Sequence, residues 1–131
     1  MKKLLTTLAL ALVASASFAG EYPDISISEL EAAIKKGDVI LLDVNGSASY
    51  EKGHIPGAID FRANKENIVS MLGDKKDKLV VAYCGGPSCS AYQAGAKAAE
   101  EAGFTNIKHL SAGISGWLQA GKTTEKAEKG S

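Results

Sequence analysis

Cysteine, proline and arginine are scarce in this 131-residue chain. Two cysteines cannot build a disulfide-dense scaffold, so an apolar core has to hold the fold. Three prolines leave long stretches free to run as helix or strand. The single arginine, Arg62, and the balance of 15 basic against 15 acidic side chains leave no basic footprint for a nucleic-acid partner. Beyond residue 13 no apolar run is long enough to cross a membrane, so no stable membrane insertion is expected of the processed chain. There is no internal repeat, and no low-complexity stretch beyond a short polar C-terminus.

What is present begins with an address. Lys2 and Lys3 precede an apolar run from Leu4 to Val13, and small residues follow through Gly20. This is the three-part layout of a secretory signal peptide. Ser17 and Ala19 fit the positions before a cut at Gly20, with a cut after Ala16 as the alternative. No cysteine near the cut offers a lipid-attachment site. The expected product is one periplasmic or secreted domain over 20–122, with 123–131 a polar, mobile tail.

Strand and helix signals alternate along that domain. Ser28-Glu29-Leu30-Glu31 reads as a capping box, followed by an apolar face of Leu30, Ala33 and Ile34 and a stop at Gly37. Val39 to Val44 is apolar except for Asp43 and fits a strand covered on both faces. Ala48 to Lys52 predicts a helical turn, and Ala58 to Phe61 a short strand. Asn64 to Leu72 predicts a helix burying Ile68, Met71 and Leu72. Leu79 to Tyr83 predicts a strand running into Cys84. Ser90 to Ala102 predicts a helix whose Ala91, Ala94, Ala98 and Ala102 face a sheet, with Lys97, Glu100 and Glu101 in solvent. Ile107 to Leu110 and Ile114 to Ala120 close the domain as strand and helix. This order implies an α/β fold with a mostly parallel sheet and helices on both faces.

The chemistry concentrates where the strand 79–83 ends. Cys84 is followed by Gly85-Gly86-Pro87-Ser88-Cys89 and, at about Ser90, by a helix. Ligands in open α/β sheets bind beyond the carboxyl ends of strands. A helix N-terminus favours a thiolate, and glycines let backbone N–H groups turn toward a sulfur. Pro87 contributes no N–H to such a cradle. The bland alternative is a buried structural cysteine. In an oxidising compartment Cys89 is a candidate disulfide or resolving partner, although so short a loop gives little stability by closure. His54 and His109 read as structural residues, Trp117 as a core residue, and Asp43 as an acceptor for backbone N–H groups. Two cysteines and two histidines lack a recognised zinc spacing, so neither metal nor cofactor is expected.

Four segments resemble the single-domain rhodanese-like sulfurtransferases. They are Leu42-Asp43-Val44; Tyr50 to Ala58, which includes Gly53-His54-Ile55-Pro56-Gly57; Tyr83-Cys84 with its glycine loop; and Ala102-Gly103-Phe104 through Ala112-Gly113-Ile114-Ser115-Gly116-Trp117. The resemblance spans about residues 24–120. It implies that Cys84 takes a sulfane sulfur from a donor such as thiosulfate, holds it as a persulfide, and passes it to cyanide or a thiol, including a protein thiol. It also implies a substrate-binding loop of Gly85, Gly86, Pro87, Ser88, Cys89 and Ser90. Two departures matter. Asn45 and Cys89 stand where many members carry arginine, so the loop lacks a fixed cation and a persulfide or protein donor stands beside thiosulfate. Two other functions are open: a non-catalytic or redox-regulated binding module with a Cys84–Cys89 disulfide, and a cysteine phosphatase or arsenate reductase. The latter needs an arginine where this chain has Ser90.

Overall fold

A computed structural model of the protein describes residues 22–127; the signal-peptide reading of 1–19 and the cut at Gly20 lie outside the described residues. Four strands, β1 (Val39–Asp43), β2 (Ile59–Asp60), β3 (Leu79–Tyr83) and β4 (Ile107–His109), form one sheet in the order β2-β1-β3-β4. All three pairings are parallel, with Leu42 opposite both Ile59 and Ala82, and Val80 opposite Ile107. Asp24 adds a parallel bridge to His109 at the outer edge of β4.

Strand side chains alternate between two cores. Leu42, Val80 and Ala82 pack with Ile68, Ala96 and Ala99. Leu41, Val81 and Tyr83 pack with Leu30 and Trp117. The first set of partners comes from α3 (Ile68–Leu72) and α4 (Tyr92–Glu101), the second from α1 (Ile27–Lys36) and α5 (Gly113–Gln119). Burial on both faces is why β1 and β3 read as continuous apolar runs. A short α2 (Ser47–Lys52) follows β1.

Three expectations change in phase. The capping box of α1 is built by Ser26 and Glu29, not by Ser28 and Glu31: Glu29 N–H donates to Ser26 Oγ and Ser26 N–H to Glu29 Oε1. The pattern occurs twice, two residues apart, and the earlier register lets Ile27 start the helix and join the core. Gly37 closes α1 at φ 74°, a left-handed cap that favours glycine. In α4 the buried, sheet-facing side is Gly95, Ala96 and Ala99; of the expected stripe Ala98 and Ala102 pack partly buried against the core, while Ala91 and Ala94 are exposed. An alanine-rich helix carries several small-residue stripes, and here shape selects among them. A Cβ on Gly95 would stand 2.8 Å from Val44 Cγ2. The helix also starts at Tyr92 rather than Ser90, after a turn in which Gln93 N–H donates to Ser90 O.

The segment before the third strand is a 3-10 turn, Lys65–Asn67, running into α3. Ile68 and Leu72 are buried there, but Met71 is exposed. The expected mobile tail is anchored at its start. Trp117 Nε1 donates to Thr123 O at 2.8 Å, and residues His54 and Glu125 exchange backbone hydrogen bonds of 2.9 and 2.8 Å. Among the described residues no helix is long and apolar enough to cross a membrane.

Candidate functional site

Cys84 sits where β3, an inner strand, ends, and is 3% exposed. Its loop is pinned from the neighbouring helix. Ile114 N–H donates to Cys84 O and Ser115 N–H to Gly85 O, both at 2.9 Å. Gly113, at φ 66°, lies so close that a Cβ there would be 2.5 Å from the Gly85 carbonyl carbon. Glycine at 113 is therefore required twice, for its backbone angle and for its contact.

The loop then doubles back. Cys89 N–H donates to Gly86 O at 3.0 Å, closing a turn around exposed Pro87 and Ser88. That turn brings the two cysteines together: Cys84 and Cys89 are joined as a disulfide, with Cα atoms 6.3 Å apart. Cys89 is half-buried and so more open to solvent than Cys84, and Ser90 beyond it is exposed. The expected cradle is altered accordingly, because the Cys89 N–H serves the turn.

Behind the loop a buried polar chain fixes the ends of both inner strands. Tyr83 Oη donates to Asp43 Oδ2 at 2.8 Å and accepts from Ile55 N–H at 3.0 Å. Asn45 N–H donates to Asp43 Oδ1 at 2.8 Å, the backbone bond expected of Asp43. Burial raises the Asp43 pKa from its usual value, against the opposing pull of these two donors. Burial, with the nearby Asp43 charge, pushes the Tyr83 phenol far up, so it remains a donor. His54 is structural, as expected: its ring stacks on Tyr50 at 3.7 Å and its Nδ1 lies 2.8 Å from Tyr50 O. His109 stacks on Tyr92, and its Nδ1 is the buried side-chain atom without a hydrogen-bond partner among the described residues. Trp117 is buried in the core. No group of three or more potential ligands among the described residues is arranged to hold a metal ion.

A cavity of about 460 Å³ opens at the carboxyl side of β1 and β2 and reaches the start of α4, just past the cysteine loop, although no residue of that loop lines it. Val44 and Gly46 line it from the connection after β1, Phe61, Arg62 and Lys65 from that after β2, and Ala91 and Ala94 from the start of α4. Arg62 and Lys65 form no ion pair among the described residues. They bring positive charge that the loop itself lacks. In the sequence Arg62 stands out only as the single arginine, and Lys65 not at all. The signal was their position just past a strand end on the ligand-binding side of a parallel sheet.

The site thus lies in a parallel α/β domain that ends an inner strand in a buried cysteine, held within a pinned glycine loop. The chain belongs to the rhodanese-like domain family, whose match covers residues 26–120. Among solved structures it is similar to the BH2092 protein of Bacillus halodurans, at 32% identity and TM-score 0.66 over 80% of this chain and 77% of that one. It is also similar to a thiosulfate sulfurtransferase from Pseudomonas aeruginosa, at 25% identity and TM-score 0.70, over 83% of this chain but 20% of that one. A curated relative, the tRNA uridine(34) hydroxylase of Enterobacter sp. (strain 638), is 31% identical over 106 residues, which is 76% of this chain and 29% of the relative. The chain thus spans under a third of that protein's length.

Proposed function

We propose that the protein is a sulfurtransferase acting outside the cytoplasm, in which the reduced Cys84 thiolate accepts a sulfane sulfur. The observation that carries the reading is the placement of Cys84: buried at the end of an inner strand, in a loop pinned to α5, on the side of the sheet where Arg62 and Lys65 line a cavity. The thiolate attacks the outer sulfur of a donor, thiosulfate or a persulfide. The donor's sulfur–sulfur bond breaks, and sulfite or a thiolate departs with the electron pair. Cys84 is left as a persulfide. A thiol or cyanide then takes the terminal sulfur and restores the thiolate. Arg62 and Lys65 draw the anionic donor to the cavity. The residue 1–19 pattern supports export, and no cofactor enters these steps.

The similarity to a tRNA-modifying enzyme runs through a minor part of that relative, and the balanced net charge of this chain does not point to an RNA partner. Sulfur transfer from thiosulfate or a persulfide to cyanide, assayed after reduction of the disulfide, tests the proposal. Cys84→Ser should abolish transfer while leaving the far-UV circular dichroism intact, because a hydroxyl cannot form the persulfide. Transfer at wild-type rate by Cys84→Ser would refute it.

A further inference from the structure

We propose that the two cysteines together make the protein a sulfane-sulfur reductase, which discharges the Cys84 persulfide as hydrogen sulfide and is reset by a dithiol entering at Cys89. This rests on Cys84 as the sulfur acceptor and adds the fate of the sulfur. Two observations carry it. The loop already holds Cys84 and Cys89 at disulfide distance, Cα atoms 6.3 Å apart, while both ends of the loop keep their hydrogen bonds. A disulfide needs Cα atoms within about 7 Å, and the closed bond here leaves the loop's hydrogen bonds to α5 in place. The pair is also unequal: Cys84 is 3% exposed, whereas Cys89 is half-buried beside exposed Ser88 and Ser90.

The steps balance. With sulfur loaded, Cys84 carries a terminal S–H. The Cys89 thiolate attacks Cys84 Sγ, the bond to the terminal sulfur breaks, and hydrosulfide leaves with the electron pair and takes a proton. The sulfane sulfur is reduced to sulfide, and the two cysteine thiols are oxidised to the disulfide. A dithiol then supplies a thiolate that attacks Cys89 Sγ, the more accessible sulfur, and Cys84 departs as a thiolate. The second thiol of the reductant attacks the mixed disulfide, frees Cys89, and leaves as its own disulfide. The net reaction converts a persulfide and a dithiol into a thiol, hydrogen sulfide and a disulfide. The reaction that supplies this protein must produce sulfane sulfur, and the one that follows must consume sulfide.

A single-turnover experiment separates reduction from transfer. Full-length protein is reduced, freed of reductant, and loaded with one equivalent of glutathione persulfide. Sulfide release and intact mass are then followed with no thiol present beyond the one equivalent of glutathione that loading releases, and the same equivalent is present with every variant. Wild type should release one sulfide per chain and end as the disulfide. Cys89→Ala and Cys89→Ser should both gain one sulfur and hold it without sulfide release. Equal persulfide lifetimes in wild type and in either folded variant would overturn the proposal. Failure of wild type and variants alike to gain sulfur would instead remove Cys84 as acceptor, and the reductase with it. For the reset, oxidised protein treated briefly with glutathione should carry the mixed disulfide on Cys89 by peptide mapping; an adduct on Cys84 would contradict the assigned entry point.

Discussion

Tyr83 is fully buried and yet carries a hydroxyl, which links Ile55, on the connector after α2, to Asp43 at the end of β1. Tyr83→Phe keeps the ring and strands two partners, the Ile55 N–H and one Asp43 oxygen. A buried polar group without a partner costs about 1–3 kcal/mol, so the unfolding free energy should fall by that much, read as a lower urea midpoint at unchanged slope. An unshifted midpoint would mean that the chain of hydrogen bonds contributes nothing. His109 gives a pH signature. Burial lowers its pKa from 6.5, and its Nδ1 has no partner to welcome a proton. With the folded-state pKa below the unfolded one, its contribution is full above the unfolded value and is lost as pH falls through the folded value. The drop in melting temperature between about pH 7.5 and pH 5.5 should therefore be smaller in His109→Phe, which keeps a ring on Tyr92, than in wild type. Equal drops would show that His109 does not sense acid. The sequence showed Cys84 and Asp43 as polar points of interest because each stands at a strand end, and Cys89 because it shares the loop with Cys84. It did not show the Tyr83 link, since a tyrosine closing an apolar run looks like any other core residue until its hydroxyl is seen to reach two segments distant in sequence.

Between α5 and the cysteine loop, the close contact is glycine against backbone. Gly113→Ala would place a Cβ 2.5 Å from the Gly85 carbonyl carbon and force a non-glycine residue to φ 66°. Backbone cannot swing aside as a side chain can, so the loop must shift or α5 must lift. We expect a loss of about 1–3 kcal/mol, the range for overpacking, and a loss of sulfur transfer larger than the loss of folded protein. Thermal melts and activity on the same preparation check this; full activity per folded molecule would show that the loop position is not critical. At this scale the order and type of the elements were legible, because β1 and β3 are apolar throughout and α1 is marked by a cap and a terminal glycine. Helix phase was not. In α4 the choice between Ala91-Ala94-Ala98 and Gly95-Ala96-Ala99 depends on Val44 across the interface, and nothing local to the helix encodes it. The two overlapping capping boxes of α1 differ in which one lets Ile27 reach the core, which is again a tertiary choice.

Taken whole, the molecule gathers the carboxyl ends of its strands around one thiol. The cysteine loop, the Asp43–Tyr83 link and the Arg62–Lys65 cavity all lie on that side of the sheet. The fold was readable from four motifs in order. The cationic cavity was not, because Arg62 and Lys65 lie more than twenty residues before Cys89 and come beside the start of α4 only in the folded chain. Under the proposed function, the Cys84–Cys89 disulfide has to be reduced before Cys84 can accept sulfur. Closure of so short a loop stabilises the fold by only about 2 kcal/mol, which suits a bond made and broken in turnover better than a structural staple. All of this depends on Cys84 being the atom that takes the sulfur. The direct measurement is the intact mass of reduced, full-length protein after incubation with thiosulfate or a persulfide, with the modified peptide mapped. A gain of one sulfur atom on Cys84 that is absent from Cys84→Ser is the expected result. No gain in the reduced wild type, or the same gain in Cys84→Ser, would contradict the account.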